Sequence, residues 1–349
     1  MKISYQIPDE SLGEKYFKDE EKIAFETADT IEKDLRKQYR TGTVKRDVHA
    51  NLTGLVKAEF SVNQNIPALL AKGVFVPGKT YEAYIRYSNG SALPGRSDKK
   101  PDGRGMAIKL LNVPGEKVLD NAKEASTQDF VLQNHAAFFT SSPSTYLAVM
   151  KRINGNIFDK LSLPFILGFR GLMLAGKFNG GKISNPLQIR YNSISPFQLG
   201  IGTSKIAVKY CAKPASSEID PMPHNPEDNF LRTVMQNTLN SADVYFKFYV
   251  QPKTSNNLSV EDYTKEWNED RAPFYEVATI RIPKQNFRTR ELDDLGENLS
   301  FNPWHTLPEH RPLGCLNRVR KIVYERISRV RREMNKVPIQ EPQISDFVN

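Results

Sequence analysis

The residues from Asp243 to Gln251 read DVYFKFYVQ, with Val, Phe, Phe and Val at every second position. This is the period of a strand that buries one face. Eight strands, several of them joined by turns rich in glycine, proline or asparagine, predict an antiparallel barrel or sandwich rather than a doubly wound sheet. The other seven strand candidates are Val56–Val62, Thr80–Ser88, Gly105–Asn112, Gln128–Gln133, Leu187–Ser193, Lys205–Ala212 and Val277–Ile282.

Helical patterns surround these strands, so the fold class predicted is α+β. Asp9–Arg40 has the spacing of an amphipathic helix or helix pair, and further helices are predicted at Pro143–Ile153, Asp159–Lys177 and Pro226–Leu239 and near the C-terminus. No internal repeat or linker interrupts the chain. We therefore expect an N-terminal helical segment (1–40) packed on one domain (41–336), followed by a tail (337–349).

The composition is that of a soluble globular protein, with 349 residues, 39% hydrophobic and 26% charged. Such a chain can bury a core and still keep a cavity for a cofactor. Its two cysteines, Cys211 and Cys315, form neither a disulfide framework nor a CxxC pair, and the N-terminus has no apolar signal core. Both features predict a cytoplasmic location.

The most apolar stretch, Leu163 to Gly176, is too short to cross a bilayer and contains Arg170. We therefore expect no integral membrane segment. The stretch is predicted to be a buried or cavity-lining helix, with contact at a membrane interface as the alternative.

The net charge of +9 is partly concentrated between Arg318 and Lys336, where eight basic residues face only Glu325 and Glu333. Such a helix can bind nucleic acid, face solvent or a membrane, or bind an acidic ligand. No zinc-finger spacing, RNA-recognition aromatics or glycine-rich phosphate loop accompanies it, so a nucleic-acid partner is not expected.

Within this helix, residues 320–331 read RKIVYERISRVR. Arg320 precedes Tyr324 by four residues, so it lies on the same helix face and can reach the phenolic oxygen. A nearby cation favours the phenolate, and a ferric ion favours it more strongly. The pair is therefore equipped to supply a tyrosinate ligand to haem iron, the ligation known in catalases. A structural or solvated tyrosine is the alternative.

Three other segments hold residues suited to an active site. His49, at a strand entrance, is either structural or catalytic. Ser88 is either an ordinary turn residue or a residue whose hydroxyl accepts a hydrogen bond from an imidazole and fixes the tautomer of that ring. Asn134, at a strand end, is a cap or a carboxamide donor pointing into a cavity.

Together these segments resemble the haem catalase family. The family's Arg-x-Val-His-Ala-x-x-x-Gly is matched from Arg46 to Gly54, and its Arg-Phe-Ser resembles Arg86 to Ser88. Its Asn-Asn-x-x-x-Phe-Phe resembles Gln133 to Phe139, and its proximal Arg-x-x-x-Tyr-x-x-x-x-Arg-x-Arg matches Arg320 to Arg331. The elements occur in family order. The chain is shorter than a full catalase and resembles the small catalase-related group of organic-hydroperoxide peroxidases and allene oxide synthases.

The resemblance implies an eight-stranded antiparallel barrel with haem b buried between the barrel and the C-terminal helix. His49 would be the acid–base group, oriented by Ser88, and Asn134 would donate to the peroxide. Tyr324 would be the proximal ligand of the iron. The remaining haem contacts implied are Arg320 beside the tyrosinate, Phe139 on the distal wall, and Arg46, Arg86 and Arg331 on the propionates.

The function implied is a haem peroxidase or catalase that acts in the response to oxidative stress. It would reduce hydrogen peroxide, organic hydroperoxides or both through a ferryl-porphyrin intermediate, with an organic electron donor and a homodimer as possible partners. A fatty-acid hydroperoxide isomerase and a low-turnover haem- or lipid-binding protein are the alternatives. Val48 favours peroxide reduction, because catalases carry valine there and allene oxide synthases of this fold carry threonine.

Overall fold

The computed structural model describes residues 3–178, 181–338 and 341–348. The strands are β1 (Asn51–Val62), β2 (Thr80–Asn89), β3 (Arg104–Leu110), β4 (Gln128–Gln133), β5 (Tyr191–Asn192), β6 (Phe197–Leu199), β7 (Ile206–Pro214), β8 (Val244–Pro252) and β9 (Tyr275–Ile282). The α-helices are α1 (Glu20–Gln38), α2 (Pro143–Ile153), α3 (Ile157–Phe178), α4 (Phe230–Ser241), α5 (Arg290–Asn298), α6 (Cys315–Asn335) and α7 (Ser345–Val348).

Eight strands close into an antiparallel barrel in the order β5-β4-β3-β2-β1-β9-β8-β7. The ring closes where Tyr191 and Asn192 of β5 pair with Ala212 and Cys211 of β7. Strand β6 lies outside the ring and pairs with β7. The predicted eight-stranded barrel with surrounding helices is confirmed, and closure removes the exposed edges of an open sheet.

The inside of the barrel is filled with apolar side chains from all eight strands of the ring. Phe130 lies 5.1 Å from Tyr210 and from Phe248, measured between ring centroids. His310 is also buried here, where Val74 N donates to its Nε2 at 3.0 Å and Tyr210 Oη lies 2.9 Å from its Nδ1. The interior is therefore a packed core whose histidine has both ring nitrogens engaged.

The outer face of β2, β3 and β4 carries different residues. Ser88 pairs with Gly105, Arg86 with Ala107, and Ala107 with Val131 across the three strands. Because alternate residues of a strand point to opposite faces, these side chains share the outer face while their neighbours fill the core.

Helix α6 covers this outer face and packs on α1. Its apolar residues Val319, Ile322, Val323, Ile327 and Val330 contact the α1 residues Ala24, Ala28, Ile31 and Leu35. Arg318 is fully buried and donates to Glu14 at 2.6 Å and to Glu20 at 2.7 Å. Arg326 pairs with Glu32 at 3.0 Å. Part of the basic charge of this helix is therefore directed at carboxylates of the N-terminal segment.

The division into residues 1–40, 41–336 and 337–349 stays a prediction.

The prediction that the stretch Leu163 to Gly176 is buried or lines a cavity is wrong, because much of α3 faces solvent. Helix α3 breaks at Gly168, whose φ is 65° and ψ 175°, and contains Pro164. Its apolar residues surround the helix without a polar side, so their spacing could not show which side was buried. Among the described residues, no helix is long and apolar enough to cross a membrane.

Candidate functional site

A cavity of about 660 Å³ lies between the outer face of β2–β4 and helix α6. This volume is in the range of small-molecule and cofactor sites. Its apolar lining includes Met106, Ala107, Val131, Val323 and Ile327. The predicted site residues that line it are Arg46, His49, Arg86, Ser88, Tyr324 and Arg331. Residues from five separate parts of the chain therefore meet around one space.

The His49 imidazole is held from several directions on the barrel side of this cavity. The imidazole Nδ1 lies 3.0 Å from Ser88 Oγ, as the sequence predicts. The backbone carbonyl oxygen of His49 accepts a hydrogen bond from Arg86 Nη2 at 3.0 Å. The ring lies against Gly105, where a Cβ atom would come within 2.7 Å of it. His49 also has a φ of 57°, a left-handed conformation that is uncommon outside glycine and that recurs at functional sites.

Burial, together with the positive charges of Arg86, Arg46 and Arg320, lowers the pKa of His49 to about 3. The free imidazole is therefore neutral at pH 7 and can accept a proton. Which ring nitrogen carries its hydrogen depends on whether Ser88 Oγ donates or accepts.

Tyr324 lines the α6 side of the cavity. Arg320 Nη2 donates to Tyr324 Oη at 3.2 Å, and the guanidinium carbon lies 5.2 Å from the ring centroid. Arg320 also donates to Asn317 Oδ1 at 3.0 Å, so its position is fixed on both sides. The predicted contact between residues four apart on one helix face is present.

Three arginines of the site converge on the C-terminal end of α5. Arg46 Nη2 and Arg86 Nε each donate to the carbonyl oxygen of Gly296 at 3.1 Å, and Arg331 donates to that of Glu297. The last carbonyls of a helix lack partners within the helix and carry partial negative charge. Helix α5 was not among the predicted helices; it has nine residues, and its only large apolar side chains are Leu292 and Leu295.

This arginine group has more positive than negative charge. Burial lowers the pKa of Arg46 well below its usual range, that of Arg86 to about 10 and that of Arg331 to about 9. The nearest carboxylate contact of Arg46 is Glu297, with its Oε2 at 3.6 Å from Nη1. That Nη1 atom has no hydrogen-bond partner among the described residues. The group therefore suits an acidic ligand, and the propionate carboxylates of haem have the complementary charge.

The C-terminal tail also contributes to the wall of the cavity. Glu341 lines it beside His305, and the buried Lys109 Nζ lies 2.8 Å from Glu341 and 2.7 Å from Asp129. Lys109 and Asp129 are register partners on β3 and β4. The sequence offered no signal for Glu341, because a lone carboxylate in a tail has no local pattern that places it in a cavity.

Two predicted distal residues do not line the cavity. Asn134 Oδ1 accepts from Arg104 N at 2.7 Å, so this carboxamide holds the end of β4 against β3. Phe139 packs on Phe138, with ring centroids 4.1 Å apart, and on Tyr146. Their roles toward a peroxide stay predictions. Among the described residues, no group of three or more histidine, cysteine, aspartate or glutamate side chains could hold a metal ion.

The fold is that of the catalases. A fungal catalase superposes with a TM-score of 0.61 at 17% identity, covering 86% of this chain and 62% of the catalase. For catalase A from Saccharomyces cerevisiae the TM-score is 0.62 at 17% identity, with 84% and 61% covered. A bacterial catalase gives 0.61 at 18% identity, with 88% and 63% covered. This chain therefore spans about three fifths of the length of those catalases.

A sequence comparison also finds a catalase-related relative. The catalase-related peroxidase of Mycolicibacterium paratuberculosis (strain ATCC BAA-968 / K-10) is 29% identical over 118 residues, which are 34% of this chain and 34% of that protein. No family model matches the chain. Fold and sequence together support a catalase-related family, and the resemblance drawn from the motifs is confirmed.

Proposed function

We propose that this protein is a haem-dependent hydroperoxidase, a catalase-related peroxidase that reduces hydrogen peroxide, small organic hydroperoxides or both. The observation that carries the proposal is the pairing of His49 with Tyr324. They come from the entrance of β1 and the middle of α6, and both line one cavity. The catalase fold and the catalase-related relative support the same activity.

The residues around the cavity suit haem b as the cofactor. Tyr324 would ligate the iron through its phenolate oxygen, and the hydrogen bond from Arg320 would stabilise negative charge on that oxygen. Arg46, Arg86 and Arg331 would hold the propionates. Bound there, haem would supply the redox chemistry that cleaves the peroxide O–O bond.

His49 would move the proton that this cleavage requires. Its neutral imidazole would accept a proton from one oxygen of the peroxide and deliver it to the other, which leaves as water or alcohol. Ser88 would keep the ring in one orientation during both transfers. Gly105 would also help to hold the ring in this orientation, because the ring occupies the space that a Cβ atom of residue 105 would fill.

The test is a steady-state comparison on the purified protein loaded with haem. We expect a ferric spectrum of tyrosinate ligation, and turnover of hydrogen peroxide and of tert-butyl hydroperoxide. Oxygen release from hydrogen peroxide would identify a catalase cycle, and dye oxidation with little oxygen release would identify a peroxidase cycle.

Turnover of a fatty-acid hydroperoxide, measured without an electron donor, distinguishes the isomerase alternative from the proposed peroxidase. Rapid loss of its diene absorbance, together with no reduction of the two smaller peroxides, would contradict the proposal. Failure to bind haem at all would contradict it as well.

A further inference from the structure

Helix α3 exposes a concentrated group of large apolar side chains. The rings of Phe158, Phe165 and Phe169 are 78%, 89% and 87% exposed. Further exposed apolar residues on or beside this helix are Ile153, Ile157, Leu161, Leu172 and Met173. Single exposed apolar residues are ordinary on protein surfaces, but a contiguous apolar group marks an interaction site.

This apolar surface rests on a fixed support. The inner side of α3 packs against α2 and against the segment that follows β4, where a Cβ on Gly171 would lie 3.0 Å from the Phe139 carbonyl oxygen. Arg170 donates to the Thr264 carbonyl at 3.0 Å. Because one side of α3 is held against the protein in this way, its phenylalanines are presented outward.

The charges along the same segment have one predominant sign. Between residues 157 and 182 the basic side chains are Lys160, Arg170, Lys177 and Lys182, and the one acidic side chain is Asp159. Exposed large apolar side chains can enter the boundary between headgroups and acyl chains of a membrane, and nearby lysine side chains can remain at the headgroups. Basic residues at that depth are attracted to anionic lipid headgroups.

We propose that α3 docks this protein on the surface of an anionic lipid bilayer. The phenylalanines would enter the region between headgroups and acyl chains, and Lys160 and Lys177 would contact the headgroup phosphates. A second copy of this chain is a poorer occupant. A symmetric dimer through α3 would place the same basic residues of both copies beside each other, which like-charge repulsion opposes. The proposal goes beyond peroxide turnover and does not depend on it.

Sedimentation of the haem-loaded protein with vesicles tests the docking. We expect it to bind vesicles of phosphatidylcholine and phosphatidylglycerol at least roughly tenfold more tightly than vesicles of phosphatidylcholine alone, and to lose this difference as salt screens the charges.

Paired substitutions locate the contact. F165S/F169S should weaken binding to the anionic vesicles roughly tenfold or more, because two exposed rings no longer enter the interface. K160E/K177E should remove the preference for anionic lipid. I7S/I219S is the matched control, because Ile7 and Ile219 are 77% and 76% exposed but lie outside α3. It should leave vesicle binding unchanged.

The circular dichroism spectrum and the thermal unfolding curve should be equal in all four proteins, which shows that the variants are folded. Absence of wild-type binding to anionic vesicles would overturn the proposal, as would equal binding by F165S/F169S. A dimer in gel filtration that F165S/F169S converts to monomer, without vesicle binding by either protein, would assign the surface to a second copy instead.

Discussion

The two faces of strands β2, β3 and β4 differ in chemistry although they share one backbone. The inner face carries buried apolar residues such as Ile85, Ile108 and Phe130, which belong to the barrel core. The outer face carries Arg86 and Ser88, which line the cavity. Strand alternation therefore places residues that stabilise the fold beside residues that suit catalysis, one position apart. Substitutions on the two faces should have separable effects.

The largest expected effect is on the outer side of the barrel. His49→Gln removes the group that would transfer the proton, so peroxide turnover should fall by about 10²–10⁴-fold. Haem content and thermal stability should stay close to those of the wild type, since the proposed cofactor ligand, Tyr324, lies on α6. Stopped-flow reduction of peroxide measures the rate. Turnover within a factor of two of the wild type would remove His49 from the mechanism.

On the inner face, Phe130→Ala should cost about 3–5 kcal/mol of unfolding free energy, because it empties a site surrounded by Tyr210, Phe248 and Phe60. Denaturant unfolding followed by circular dichroism measures this loss. Variant molecules that remain folded should keep haem and activity. A variant as stable as the wild type but inactive would contradict the separation of the two faces.

Gly105→Ala tests the outer face by the addition of one methyl group. The new Cβ would overlap the His49 ring, so the ring must shift and turnover should fall by roughly tenfold to a hundredfold. Gly176→Ala is the matched control, because no atom lies within 4 Å of the site of its new Cβ. Equal activities of the two variants would show that Gly105 does not position the imidazole.

The pH dependence gives the smallest expected effect. A histidine with an ordinary pKa near 6.5 would lose its ability to accept a proton as pH falls through that value. Since burial and neighbouring arginines lower the pKa of His49 to about 3, its protonation is displaced to lower pH. The rate of peroxide reduction should therefore stay flat between about pH 7 and pH 5. An acid limb with a midpoint near 6.5 would contradict the lowered pKa.

The elements with strong local patterns could be predicted from the sequence. The observed bounds of β4 and α2 coincide with the predicted Gln128–Gln133 and Pro143–Ile153, because polar residues flank the short apolar run of β4 and Pro143 follows the cap Ser142. The predicted strand Leu187–Ser193 is reduced to Tyr191–Asn192, because Asn185 caps a 3-10 turn at Pro186–Gln188.

The site could be predicted where motif and geometry agree. His49, Ser88, Arg86 and Tyr324 do line one cavity, whereas Asn134 and Phe139 contact neighbouring strands and rings instead. The α5 carbonyls and Glu341 could not be predicted, because their positions depend on tertiary packing rather than on local sequence. For the same reason the exposure of α3 was missed.

We propose that Tyr324 holds haem iron on the α6 side of the cavity. The most direct test is the ferric spectrum and haem stoichiometry of Tyr324→Phe, with Tyr245→Phe as the control on the exposed side of β8. We predict that Tyr245→Phe keeps full haem and the tyrosinate spectrum, whereas Tyr324→Phe loses that spectrum and most of its haem. A Tyr324→Phe protein with unchanged haem content and an unchanged spectrum would contradict the account.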